Sequence, residues 1–178
     1  EEGVVVLALA FLEWAASRPG EAEAGKLREE LAAVPWLPTG DGTLRKVCET
    51  FFPTRSPGHF HTVRDKQAKL EGIVAQRGFD TDVIWRVMGQ MGMKEEMSWE
   101  DAVEEAESVA RHSDVERARG LLLHLNERHS ALKGARAACL RRLSDLAWVP
   151  ASQPMAGGAD AAGPQLLRAC DCFPQSAA

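Results

Sequence analysis

Polar and apolar positions along this chain fall mostly at helical spacing, interrupted twice by short proline-bearing stretches. Val4-Val5-Val6-Leu7-Ala8-Leu9-Ala10-Phe11-Leu12 is apolar without a break. A run this dense predicts a buried core helix, over about Gly3 to Ser17 and ended by Pro19-Gly20. It falls short of the roughly 20 apolar residues that a membrane-spanning helix needs. Two Glu precede it, where a secretory leader would carry basic residues. A second helix is predicted from about Glu21 to Ala33, stopped ahead of Pro35. Its early Glu21 and Glu23 and its later Lys26 and Arg28 suit the helix dipole.

Beyond residue 60 the helical pattern resumes. A polar helix is predicted from Val63 to about Gln76. Asp80 or Thr81 caps the next, whose Val83, Ile84, Val87, Met88 and Met91 share a face until Gln90 to Gly92. Ser98 is the N-cap of a third, with Trp99, Ala102, Val103, Ala106, Val109 and Ala110 inward. Glu100, Asp101, Glu104, Glu105 and Glu107 take its solvated face. Ser113 and Glu116 read as a capping box. The stripe behind them is Val115, Ala118, Leu122, Leu125, His129 and Leu132. A last helix spans about Ala135 to Leu146, with Cys139, Leu143 and Leu146 inside.

The first interruption, Val34 to Pro53, reads as a hairpin. Prolines hold Trp36-Leu37-Pro38 extended, and Pro38 makes that strand an edge or very short. Gly40-Asp41-Gly42 supplies a tight turn with positive-φ positions. Thr43 to Val47 returns as a short strand, Phe51-Phe52-Pro53 anchors the exit, and a loop containing Ser56-Pro57-Gly58 follows. The second interruption repeats the first. Trp148 lies 112 residues after Trp36 (148 − 36), with a Leu five residues before each Trp and a Pro two after. Leu44 to Phe51 then matches Leu166 to Phe173, and the short turn gives way to a flexible insert between Gln153 and Gly163. Cys48 and Cys170 take equivalent places, which favours a packing role for both. Repetition of this kind predicts an array. The predicted class is mainly α (α+β): a helical repeat module with small two-stranded β-hairpins at its repeat junctions. Residues 1–33 close a preceding unit, 34–53 form the first junction, 54–146 a helical block, and 147–174 a second, partial junction. Packing anchors are Val34, Trp36, Leu37, Phe51, Phe52, Trp99 and Trp148.

These junction residues carry a resemblance. Leu31, Val34-Pro35-Trp36-Leu37-Pro38-Thr39, Asp41-Gly42, Leu44, Glu49 and Phe51, at their spacing, are similar to a segment of the sacsin family. Gly89, Met91-Gly92-Met93-Lys94, Met97-Ser98-Trp99-Glu100-Asp101-Ala102-Val103-Glu104 and Ala106-Glu107-Ser108 resemble a second segment of that family. The likeness covers about Leu27 to Pro150. Val47-Cys48 stands where the family has Pro-Ser, and Phe52 where it has Asp. The resemblance implies a segment of a very large cytoplasmic co-chaperone, partly associated with mitochondria. Such proteins combine Hsp90-like ATPase modules with a ubiquitin-like domain, a J-domain and a HEPN domain, and are linked to Hsp70 and the proteasome. The resemblance implies a segment lying in a repeat, outside the ATPase module; the chain carries neither that module's nucleotide signatures nor a J-domain His-Pro-Asp.

Charge and composition narrow the chemistry. The chain has 178 residues and a net charge of −5, which argues against a dominant nucleic-acid surface or a polybasic membrane surface. Four cysteines are too few for a secreted disulfide scaffold and suggest a reducing compartment. Glu1 and Ser176-Ala177-Ala178 read as the cut edges of a longer protein. Thr39-Gly40-Asp41-Gly42-Thr43 lacks the Gly-Lys-Ser/Thr end of a phosphate loop and the alternating acids of a calcium loop, so a plain turn is expected. His59-x-His61 and Cys170-x-Cys172 lack the second ligand pair of a zinc site. No cofactor or metal is expected, no catalytic residue is assigned, and no Gly-x-Ser-x-Gly elbow is present. Met88, Met91, Met93 and Met97, with Glu100 and Glu104, are the candidate partner-binding residues, because methionines adapt to varied apolar partners. The acidic stretch Glu95 to Glu107 and the Arg-rich stretch Arg111 to Arg142 offer complementary faces for adjacent repeats. The expected function is a non-catalytic scaffold segment for protein folding and Hsp70-linked quality control. Its partners would be chaperones, clients and adjacent repeats. A direct client-binding surface and an enzyme without recognisable motifs are the alternatives.

Overall fold

A computed structural model describes residues 2–54, 59–151 and 165–172. The described residues are mainly helical, with two two-stranded antiparallel sheets. They group into two compact units, Glu1–Glu96 and Met97–Ala178. The boundary falls inside the stretch that the sequence assigns to one helical block.

Unit 1 opens with α1 (Glu2–Ala16) and α2 (Ala22–Ala33), which pack on each other. Only one side of α1 is interior: Val5, Ala8, Leu9, Leu12 and Ala15 are buried, while Val4, Leu7 and Phe11 are exposed. The unbroken apolar run thus overstates its burial. The hairpin follows as β1 (Leu37–Pro38) and β2 (Leu44–Arg45), with Leu37 opposite Arg45 and Pro38 opposite Leu44. The return strand is shorter than expected, because Val47–Glu49 closes into a 3-10 turn. The expected helix over 63–76 is two short ones, α3 (His61–Asp65) and α4 (Glu71–Arg77). Tertiary hydrogen bonds override helical propensity between them. Phe51 N–H donates to the Lys66 carbonyl (3.1 Å) and accepts from Ala68 N–H (3.1 Å), while Gly40 N–H donates to the Gln67 carbonyl (3.1 Å). The same short segment also bonds to Lys94: Phe52 N–H donates to the Lys94 carbonyl (3.0 Å) and Lys94 N–H to that of Thr50 (2.8 Å). Phe51 is thus held by backbone bonds to residues 66 and 68 and is fully buried. α5 (Thr81–Gln90) packs on α1 and starts as predicted, with Asp80 accepting from the N–H groups of Asp82 and Val83. The core joins Leu9, Leu12, Trp36, Leu37, Phe52 and Met88.

Unit 2 is built around α6 (Trp99–His112), which packs against α7 (Val115–Arg128), α8 (Arg136–Asp145) and β3 (Ala147–Pro150). Ser98 caps α6 in a reciprocal box with Asp101. The predicted box at Ser113 and Glu116 is not formed. Ser113 ends α6 in the left-handed region (φ 53°), so the cap of α7 moves one residue on, to Asp114, which accepts from Arg117 N–H (3.1 Å). The buried stripe of α7 is Val115, Ala118 and Leu121, and Leu122 is exposed. On α8, Cys139 and Leu143 are buried as expected and Leu146 is half-buried. β3 pairs with β4 (Leu166–Arg168), and the short α9 (Ala169–Cys172) follows. The insert between Gln153 and Gly163, the loop at Ser56-Pro57-Gly58, and Phe173 with Pro174 lie outside the described residues.

Candidate functional site

The hairpin turn holds a dense polar network. Asp41 is its hub. One carboxylate oxygen accepts from the Thr39 hydroxyl (2.7 Å), the Thr43 hydroxyl (2.8 Å) and the Thr43 N–H (3.1 Å). The other accepts from the Arg45 guanidinium (2.7 Å). Desolvation alone would raise this carboxyl. The hydrogen bonds from Arg45, Thr39 and Thr43 outweigh it and hold Asp41 well below the usual carboxylate range. The turn also docks inward. Asp41 N–H donates to the Asp65 carbonyl (3.0 Å), and Lys69 N–H donates to that of Pro38 (2.8 Å). Gly40 is required by contact, since a Cβ there would overlap the Arg64 carbonyl oxygen. Of the two turn glycines only Gly42 has a positive φ, 79°. The groups that a phosphate or metal loop would present to a ligand are therefore bonded within the fold.

The two tryptophan junctions share a construction. Trp36 Nε1–H donates to the Leu31 carbonyl and Trp148 Nε1–H to the Leu143 carbonyl, both at 2.9 Å. Leu31 and Leu143 lie in the last turns of α2 and α8, where carbonyls have no partner within the helix. Each indole is therefore a C-terminal cap, reaching back from an extended residue. The bond is to a backbone carbonyl, so it accounts for the five-residue spacing rather than for leucine at that position. The register repeats as well: Leu37 faces Arg45 and Pro38 faces Leu44, while Val149 faces Leu167 and Pro150 faces Leu166. A helical turn follows each hairpin, at Val47–Glu49 and at Ala169–Cys172. Trp36, Leu37, Phe51, Phe52, Trp99 and Trp148 are all buried, as anchors should be, whereas Val34 is exposed. Cys48 and Cys170 are exposed too, so neither takes the packing role that their equivalence suggested.

Three of the four candidate partner methionines are interior. Met88, Met93 and Met97 are 0%, 5% and 1% exposed, and Met91 is half-buried against the core of unit 1. Met97 belongs to unit 2. Glu104 is exposed, while the Glu100 carboxylate accepts from Ala135 N–H (2.9 Å) at the start of α8. That bond, with its own backbone N–H and the Ser98 hydroxyl, holds Glu100 below the usual carboxylate range. A carboxylate there also complements the positive end of the helix dipole. Cys139, in the first turn of α8, has its thiol pushed up by burial and by the Glu100 charge.

The acidic and basic stretches meet inside unit 2. Glu105, expected on the solvated face of α6, is 0% exposed and accepts from Arg117 Nη2 (2.6 Å) and Nε (2.9 Å). Arg117 Nη2 also donates to the Ser108 hydroxyl (3.1 Å). Asp101 is buried in its capping box, and Glu107 pairs with Arg142. These charges join α6 to α7 and α8. Sequence reasoning missed the burial of Glu105 because its partner lies on the next helix.

No group of three or more His, Cys, Asp or Glu among the described residues could hold a metal, and no described helix is long and apolar enough to cross a membrane. A cleft of about 910 Å³ in unit 1 lies between Phe52, Trp85, Glu71, Asp82, Arg86 and Glu95, without His, Cys or Ser among its described lining. Comparisons with protein-family models, curated proteins and solved structures found no match to this chain.

Proposed function

We propose that this chain is a non-catalytic scaffold segment of a sacsin-like co-chaperone, working in protein folding and Hsp70-linked quality control in the cytoplasm. One observation carries the scaffold reading. Both tryptophan junctions use the same indole cap and the same strand register, while the turn between the first pair of strands is bonded internally. What the junctions have in common is a packing frame. In this reading they are repeat junctions in a helical array. Each frame fixes how a helix hands over to its hairpin, and so helps set the spacing of neighbouring modules. The partners are chaperones, clients and adjacent repeats of the same polypeptide. Support for the lineage comes from the residues resembling the sacsin family, which centre on Trp36 and Trp99, both buried.

Two experiments test the two halves of this reading. Sequencing the full-length transcript should reveal an Hsp90-type ATPase module in the same reading frame, and its absence would remove the lineage. Light scattering of a heat-denatured client should be unchanged by adding the chain. Suppression of aggregation that is lost in Met91→Glu would instead favour direct client binding.

A further inference from the structure

A second cleft of unit 1, about 420 Å³, opens beside the end of α1. Its charged lining is Arg28 from α2 and Arg86 from α5, and no carboxylate is among its described lining residues. Elsewhere arginines of this chain find carboxylates, as Arg45 does on Asp41 and Arg117 on Glu105. These two do not. Arg28 Nε donates to the Ala24 carbonyl (3.3 Å), and its Nη groups have no partner among the described residues. Arg86 makes neither a hydrogen bond nor an ion pair with any described residue.

The sequence accounts for this on α2. Three and four residues to either side of Arg28 stand Ala24, Gly25, Leu31 and Ala32, so its own helix offers it no acid. On α5, Asp82 is one turn before Arg86, yet the two are not paired, and Asp82 lines the larger cleft that Arg86 and Gln90 also border. Nor do the guanidinium groups cap α1. The carbonyls of Glu13, Trp14 and Ala15 accept instead from Ser17 N–H (3.2 Å), the Ser17 hydroxyl (2.7 Å) and Arg18 N–H (3.3 Å). Two like charges on one cleft repel until an anion joins them. A dianion answers both, and the bonds that guanidinium groups make to phosphate oxygens are among the strong ones. The Gln90 amide can add a neutral donor. The remaining lining is apolar: Ala15 and Val87 are buried, and Ala16 and Pro19 lie nearer the surface. The cleft is several times larger than a phosphate group and falls in the size range of small-molecule sites.

We propose that this cleft binds a small organic phosphate monoester. Arg28 and Arg86 hold the dianion, and the organic part lies on the apolar wall. The inference does not depend on the scaffold reading. Its test is isothermal titration calorimetry at about pH 7.5, where a phosphate monoester is largely dianionic. The probe is phenyl phosphate, compared with inorganic phosphate and with benzoate. Phenyl phosphate should bind about ten-fold more tightly than either. Arg28→Gln and Arg86→Gln should each weaken its binding about ten-fold, with the unliganded thermal midpoint within a few degrees of the parent. Arg64→Gln, which removes the same charge from an exposed position on α3, should leave binding unchanged. No binding at millimolar phenyl phosphate, indifference to both cleft variants, or equal weakening by Arg64→Gln overturns the proposal. Benzoate bound as tightly overturns the dianion, and inorganic phosphate bound as tightly overturns the organic part. Co-sedimentation with phosphatidic-acid vesicles that Arg86→Gln abolishes would overturn the soluble ligand in favour of a lipid headgroup.

Discussion

Trp36 and Trp148 each do two things, and substitutions separate them. Trp36→Phe keeps most of the buried ring and removes the donor to the Leu31 carbonyl. The expected loss is about 1 kcal/mol in urea unfolding. Trp36→Ala also removes the ring, and about 3–5 kcal/mol is expected. Gly40→Ala drives a methyl into the Arg64 carbonyl oxygen, which backbone must move to relieve. Its expected cost is about 1–3 kcal/mol in the same measurement. Asp41 gives a pH signature. Folding depresses its carboxyl, so the ionised form favours the fold. That contribution is complete above the unfolded carboxylate pKa of about 4 and is lost as the pH falls through the lower folded value. Asp41→Asn should therefore lower the thermal midpoint near neutral pH and flatten its decline from about pH 4 downward. An acid limb as steep as that of the parent would contradict the role given to this carboxylate.

Among the elements, the pairing of α6 with α7 rests on Glu105 and Arg117. Arg117→Ala leaves a buried carboxylate without its guanidinium, and an expected loss of about 3–5 kcal/mol follows. The double change Glu105→Met with Arg117→Met removes both charges and should recover most of that loss, because a buried pair bears its own desolvation cost. A double variant no more stable than Arg117→Ala would show that the pair is not an isolated couple. What was legible in the sequence divides along the same line. Asp80 and Ser98 were readable as caps because a cap is decided within four residues. The Trp–Pro frame and the hairpin were readable because they occur twice. The break between α3 and α4 was not, since Phe51 and the hairpin turn, far back in the chain, take up the backbone groups of residues 66–68. Nor was the burial of Glu105, whose partner is 12 residues away. Acidic spacing on one helix cannot reveal a guanidinium on the next. The exposed side of α1 was hidden by its own uniformity, because an unbroken apolar run does not say which side faces the core.

For the molecule as a whole, each of the two units has a tryptophan frame that ties a helix end to its hairpin, and the proposed scaffold role rests on those two frames. Glycines that looked like a ligand loop serve one of those frames, and the methionines that looked like a docking surface are largely interior. Hydrogen exchange resolved along the chain tests this most directly. Trp36→Ala should speed exchange in α2 and β1, and Trp148→Ala should do the same in α8 and β3, each by the loss of about 3–5 kcal/mol of protection. Protection unchanged from the parent in both variants would contradict the account.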